Sequence, residues 1–222
     1  DQLKKAIFLA SKKERGDAVK AVVEKSKAAC KAELGDVFDS RQIKMAFEKL
    51  QEKVYRNAII QSGERADGRK PLDLRAISCE VDVLPRVHGS SLFQRGETQG
   101  LVLATLGTSK DAQEVDAITG GPSKRSFLLH YNFPNFSVGE TGRFGGQNRR
   151  EIGHGALAER SIEPVIPSAK DFPYAIRVSS EVMASNGSTS MASVCSGVMA
   201  LMDAGVPLIR PVAGISVGLV TE

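Results

Sequence analysis

The segment Ser185-Asn186-Gly187-Ser188-Thr189-Ser190-Met191 sets three consecutive hydroxyls after an Asn-Gly turn. An apolar run of helical period follows at once, through Met191, Val194, Cys195, Val198, Leu201 and Met202. Hydroxyls at the start of a helix suit an anion, because the leading amides lack intrahelical acceptors and the helix dipole favours negative charge there. An ordinary Ser or Thr cap would leave the same signature. Upstream, Arg149-Arg150-Glu151-Ile152-Gly153-His154 opens a second helical pattern in which Arg150 and His154, four apart, share a face. Cations in a first turn oppose the dipole at about 0.3–1 kcal/mol each. A bound polyanion would offset that; so would Glu151 and solvent. Together the two clusters suit chemistry on phosphate esters.

Other candidates are more ambiguous. His154, beside two arginines, could bind or protonate a phosphate oxygen. His88 and His130 have no such company and read as structural. The Gly-rich stretch Pro134 to Asn148 is long enough to be functional and carries Phe136, Arg143 and Phe144. Its aromatics could stack on bases or plug the underside of the loop. Arg95, before the turn Gly96-Glu97-Thr98, could reach a phosphate or pair with Glu97.

These residues need a scaffold. Residues 1–63 read as helices: Val19, Val22, Val23, Ala29, Cys30 and Leu34 approximate one apolar face, and Gly35 ends it. Asp39 or Ser40 can cap the next helix, whose stripe runs Ile43, Phe47, Leu50, Val54, Ala58 to a stop at Gly63. After Gly63 the texture changes. Ile77, Cys79, Val81 and Val83 alternate as a half-buried strand; Leu101–Leu106, Phe127–Phe133 and Tyr174–Val182 give three more; Pro211–Val220 reads as a buried strand. Helical signals at about 149–161 and 191–204 lie between them. Strands and helices in one mixed series imply an α/β or α+β sheet covered by helices.

Composition sets the outer bounds. With 222 residues and 41% hydrophobic content the chain can bury a core. Cys30, Cys79 and Cys195 are odd in number, far apart and without a CxxC pair, which speaks against a disulfide framework or zinc and fits the cytoplasm. No run approaches the ~20 apolar residues of a membrane helix, and the Lys-rich start lacks the apolar core of a signal peptide. The net charge is +4. Residues 1–63 hold 14 Lys/Arg against 9 Asp/Glu, whereas residues 64–222 hold 16 against 17 and favour Arg. Arg in a mixed domain suits bidentate phosphate recognition, and a pI near 9.0 permits a nucleic-acid partner.

Six motifs in register carry a resemblance. Arg65-Ala66-Asp67-Gly68-Arg69, Arg95-Gly96-Glu97-Thr98-Gln99, Tyr131-Asn132-Phe133-Pro134, Gly139-Glu140-Thr141-Gly142-Arg143, Arg149-Arg150-Glu151-Ile152-Gly153-His154-Gly155, and Ser185-Asn186-Gly187-Ser188 followed by Met191-Ala192-Ser193-Val194-Cys195 resemble the polynucleotide phosphorylase family. Their order matches its second RNase PH-type domain, and residues 1–63 resemble the all-helical segment that precedes it. The resemblance implies an α+β fold: an N-terminal all-helical domain, 1–63, then an RNase PH-like mixed sheet with helices packed on it, 64–222, truncated at its C-terminus. It implies processive 3′-to-5′ phosphorolysis of single-stranded RNA by inorganic phosphate, reversible, in a cytoplasmic homotrimer that requires Mg2+. Ser188, Thr189 and Ser190 would hold the phosphate; Thr189 replaces a serine common in the family. Arg149, Arg150 and His154 would be catalytic, and Arg95, Arg143, Phe136 and Phe144 would bind RNA. No metal ligand is assigned within the chain, since the family's metal-binding acids are expected beyond Glu222. A first RNase PH-type domain is expected before Asp1 and KH and OB-type domains after the core, so the 222 residues read as an internal fragment, inactive alone. A non-catalytic ring subunit that threads RNA is the alternative; the hydroxyl triplet favours the enzyme. A domain binding a small phosphorylated metabolite is a third reading.

Overall fold

The computed structural model describes residues 1–35, 39–143 and 145–221. They group into two units, Asp1–Leu74 with Val217–Glu222, and Arg75–Ser216.

The first unit holds helices α1 (Gln2–Ile7), α2 (Lys12–Leu34) and α3 (Ser40–Ser62). The Ser11 hydroxyl accepts from the Glu14 amide and starts α2, which ends at Gly35. Asp39 caps α3 through the Arg41 amide, and Gly63 closes it in the left-handed conformation that costs glycine little. The stripe expected on α3 is only partly covered: Ala58 is buried, but Leu50 is exposed. On α2 no residue is fully buried. Leu3, Ala6 and Ile7 of α1 supply most of this unit's buried apolar surface, and Phe8 stacks on Tyr55 at 6.3 Å.

The second unit is a five-stranded mixed sheet with two helices on one face. Its strands are β1 (Ile77–Val81), β2 (Gly89–Arg95), β3 (Thr98–Gly107), β6 (Phe127–Asn132) and β7 (Ala175–Ala184), in the order β1-β2-β3-β7-β6. All neighbours are antiparallel except β6 and β7, which run parallel. Strands β4 (Gln113–Ala117) and β5 (Gly121–Arg125) form a separate antiparallel ribbon. Helices α4 (Arg149–Ile162) and α5 (Thr189–Asp203) pack on each other and on the sheet. Val102, Ala104, Leu129, Val178 and Val182 alternate along the strands on the covered face. Above them lie Ala158 and Ile162 of α4 and Val194, Val198 and Leu201 of α5.

Gly89 fixes how closely α5 approaches β2. A Cβ there would collide with the Ala200 carbonyl and the Ala204 amide nitrogen, both backbone atoms that cannot swing aside. Gly89→Ala should destabilise the fold by about 1–3 kcal/mol or more, read from the midpoint of urea unfolding.

Three features differ from the sequence reading or go beyond it. Strand β1 lies at the sheet edge with all five residues exposed, not half-buried. Strand β2 lies before the Gly96-Glu97-Thr98 turn, where the sequence shows a strand-like segment without bounds, and Ser90 and Ser91, which interrupt its apolar alternation, are fully buried and hydrogen-bonded to α5. Pro211–Val220 is irregular rather than a strand, with Ile215, Val217 and Leu219 exposed. Its composition favours a strand, but a strand needs a hydrogen-bonding neighbour, and none of the described strands pairs with it.

Candidate active site

The two clusters singled out in the sequence meet at Tyr131. This residue ends the covered face of β6 and is 1% exposed. Its hydroxyl lies 2.6 Å from the Thr189 hydroxyl at the start of α5. Its ring stacks against His154 of α4 at 5.9 Å between centroids. Gly155 makes room for it, since a Cβ there would stand 3.3 Å from the Tyr131 Cβ. Burial raises the Tyr131 phenol above its usual range, partly countered by the Thr189 hydrogen bond and Arg150. It therefore stays a neutral hydrogen-bonding phenol.

The start of α4 answers the question of its paired cations. Asn148 and Glu151 form a reciprocal capping box. A Glu151 oxygen also accepts from the Phe133 amide at 2.7 Å, tying the helix to the end of β6. The carboxylate offsets the arginines at the dipole's positive end. Arg150 lies over the Phe133 ring at 3.9 Å. A stacked guanidinium keeps its in-plane N–H fork for an anion. Arg149 is exposed, and His154 is half-buried with Nδ1 enclosed and without a hydrogen-bond partner.

The start of α5 is built differently from an ordinary cap. Ser188 is the N-cap residue, yet its side chain makes no capping bond. It adopts φ 52°, ψ 41°, a left-handed conformation unfavourable for a residue with a Cβ. The neighbouring strand turn holds it there. Arg95 Nη2 and Thr98 Oγ1 both donate to the Gly187 carbonyl, at 2.8 and 3.2 Å. Thr98 Oγ1 accepts from the Asn186 amide at 2.9 Å, and Asn186 Nδ2 donates to Glu97 at 2.7 Å. Arg95 thus grips the loop that carries the hydroxyls, and Glu97 is engaged by Asn186. Thr189 and Ser190 are buried and Ser188 is half-buried.

Arg143 and Phe136 are not drawn into the Tyr131 cluster. They line a cavity of about 470 Å³ with Leu101, Asn132, Glu181 and Met183, residues that alternate with those beneath the helices. The cavity adjoins the cluster through Phe133, Asn148 and Glu151. Phe136 is 59% exposed, while Phe144 lies outside the described residues. His88 accepts from the Leu106 amide at 3.1 Å. Burial, and then Arg177, hold the His130 imidazole below its usual range. In the sequence Tyr131 stands out only as part of the motif Tyr131-Asn132-Phe133-Pro134, and its hydroxyl two residues before an aromatic at a strand end is the one signal of its role.

Among the described residues no group of three or more His, Cys, Asp or Glu side chains could hold a metal ion. The residues gathered here are cations, hydroxyls, a phenol and one carboxylate, Glu151, already engaged in the capping box, a set that suits an anion and not Mg2+. Among the described residues no helix is long and apolar enough to cross a membrane.

Comparison with known proteins identifies the family. Residues 73–207 match the model of the 3′ exoribonuclease family, domain 1, and residues 1–70 match that of the polyribonucleotide nucleotidyltransferase RNA binding domain. A polyribonucleotide nucleotidyltransferase of Opitutus terrae is 60% identical over 100% of this chain and 30% of its own length. The protein of the same name from Akkermansia muciniphila is 57% identical over 100% of this chain and 31% of its own. The structure of rice (Oryza sativa) Rrp46 is similar with a TM-score of 0.49 and 23% identity, over 66% of this chain and 64% of that one. This chain thus spans about 30% of the length of the curated relatives it matches. It belongs to the 3′ exoribonuclease family, and it is similar along its whole length to polyribonucleotide nucleotidyltransferases.

Proposed function

We propose that this chain carries the phosphate-binding and RNA-end-binding part of a phosphorolytic 3′-to-5′ exoribonuclease. The observation that carries the reading is Tyr131, which joins the hydroxyl-bearing start of α5 to the Arg/His-bearing start of α4. In the reaction, an oxygen of inorganic phosphate attacks the phosphorus of the last internucleotide linkage. The bond from that phosphorus to the 3′ oxygen of the preceding nucleotide breaks. A nucleoside diphosphate leaves, and the proton of the attacking phosphate ends on the new 3′ hydroxyl. Two anions must approach each other, and fixed positive charge and oriented donors lower that barrier.

On this reading Ser188, Thr189 and Ser190 hold the attacking phosphate. Arg149, Arg150 and His154 hold the terminal phosphates of the RNA. Arg95 acts through the Gly187 carbonyl, and Arg143 and Phe136 contact the strand farther along. The same reading extends to a cytoplasmic homotrimer that degrades mRNA, with residues 1–63 as its helical domain and 64–222 as its RNase PH-like domain. The mobile-phosphate site is what favours an enzyme over a ring subunit that only threads RNA.

Ser188 gives a direct test in the full-length protein. Glycine is at ease at φ 52° but has no hydroxyl, whereas alanine keeps the strain and also lacks the hydroxyl. Both Ser188→Gly and Ser188→Ala should raise the phosphate KM for nucleoside diphosphate release. Ser188→Gly should keep or raise the stability, by up to about 1 kcal/mol of relieved strain, and so keep or raise the melting temperature. An unchanged phosphate KM in both variants, or RNA degradation that needs no phosphate, would overturn the assignment.

A further inference from the structure

Helix α5 meets the sheet through a row of polar links, of which only the first, at Thr189, belongs to the phosphate site of the proposed function. Thr189 pairs with Tyr131 of β6. Four residues on, Ser193 pairs with Ser180 of β7 at 2.7 Å, and its hydroxyl also donates to the Thr189 carbonyl at 3.0 Å. Three residues further, Ser196 pairs with Ser91 of β2 at 2.7 Å, and Ser91 also reaches the Ser196 carbonyl at 2.6 Å. Seven residues beyond that, Asp203 accepts from the Ser90 amide at 2.8 Å and the Asp82 amide at 3.3 Å. The spacing of four, three and seven keeps all four residues on one face of the helix. Ser91, Ser180, Ser193 and Ser196 are at most 1% exposed. The row runs the length of α5 and ties it in turn to β6, β7 and β2.

Such pairs are poor sources of stability. A buried hydroxyl pair contributes little net free energy compared with apolar groups of the same shape, although an orphaned member is costly. What the pairs supply is geometry. Apolar contact is non-directional and tolerates a slide or roll of a helix along a sheet. A hydroxyl pair at 2.7 Å does not, because a slide of one residue, about 1.5 Å, breaks every link at once. Three different strands define the position, so both translation and rotation of the helix are fixed. The group delivered by that position is the first turn of α5.

We propose that this hydroxyl row is a positioning device for the phosphate site, with Ser193 and Ser180 as positioning residues that touch no substrate. The proposal rests on the reading that the start of α5 binds the attacking phosphate. Misplacing a binding group by about 1 Å can cost on the order of 10²-fold in rate, so a sub-ångström drift of α5 should appear first in the phosphate KM.

The test uses the full-length protein and separates stability from position. Ser193→Ala should lower the melting temperature, since it leaves the buried Ser180 hydroxyl without its partner, and Ser180→Ala should lower it less, since Ser193 keeps its bond to the Thr189 carbonyl. The double variant Ser180→Ala/Ser193→Ala removes both partners, so its melting temperature should return towards the parent. Its phosphate KM should nevertheless stay raised, by about 10-fold, with the KM for RNA unchanged within about twofold. A purely structural pair would restore both quantities together, and that result overturns the proposal. Ser91→Ala/Ser196→Ala, read in the same way, decides the matter if the first double variant does not fold. Ser190→Ala serves as the separate check on the phosphate site. If it leaves the phosphate KM unchanged, the underlying reading falls; if it raises the KM and neither double variant does, only the positioning proposal falls.

Discussion

Replacing Arg149 and Arg150 together by alanine in the full-length protein should lower kcat/KM for single-stranded RNA by about 10³-fold or more. Removing one donor aimed at developing charge typically costs about 10²–10³ in rate, and here two cations leave one helix start. The loss should carry a salt signature. RNA affinity of the parent falls with ionic strength as counterions return to the phosphates, and the variant should show a flatter slope, by about one for each lost phosphate contact. Stability should move little. Arg149 is exposed, and Arg150 loses only its stacking on Phe133, worth about 0.5–1 kcal/mol at such a site. The capping box of Asn148 and Glu151 remains to start the helix. A large fall in melting temperature with unchanged RNA affinity would make the pair structural.

The legible part of this chain was the part written in apolar period and in punctuation. Gly35, Asp39 and Gly63 bound their helices as read, because capping is a local matter of φ and of one hydrogen bond. Strand β3 followed from an apolar, β-rich run and β7 from alternation, and β6 lies within the expected strand Phe127–Phe133. What sequence could not show was polar burial. Ser90 and Ser91 interrupt the apolar alternation of β2, and nothing in the sequence places Ser196 and Asp203 opposite them. Tyr131 and Thr189 lie 58 positions apart in sequence, and only the parallel pairing of β6 with β7 beneath α4 and α5 brings them into contact. The site residues were legible as two separate clusters; the residue that joins them was not. Pro211–Val220 shows the converse. Apolar content and β-branched residues give it strand propensity, but propensity is realised only against a partner edge.

Thr98→Val should have the second large effect, from a residue that lies outside both clusters. Thr98 is fully buried at the start of β3 and uses one hydroxyl twice, accepting from the Asn186 amide and donating to the Gly187 carbonyl. Valine fills the same volume but satisfies neither group. An unsatisfied buried amide costs about 1–3 kcal/mol, so a domain of this size should lose roughly 3–10 °C in melting temperature. Arg95 still holds the Gly187 carbonyl, which limits the structural damage to the Asn186 side of the loop. That side determines whether Ser188 keeps its left-handed conformation. If the Asn186 peptide relaxes, Ser188 returns to a more favourable backbone region and its hydroxyl is displaced. The phosphate KM should therefore rise by about 10-fold or more, while the KM for RNA, which the proposed function assigns to α4, should stay close to the parent value. Thr98→Ser retains the hydroxyl and should restore the phosphate KM, even though the lost methyl group leaves part of the stability deficit in place. A valine variant that melts early but binds phosphate as the parent does would show that the turn supports the fold alone and that Ser188 holds its conformation without it.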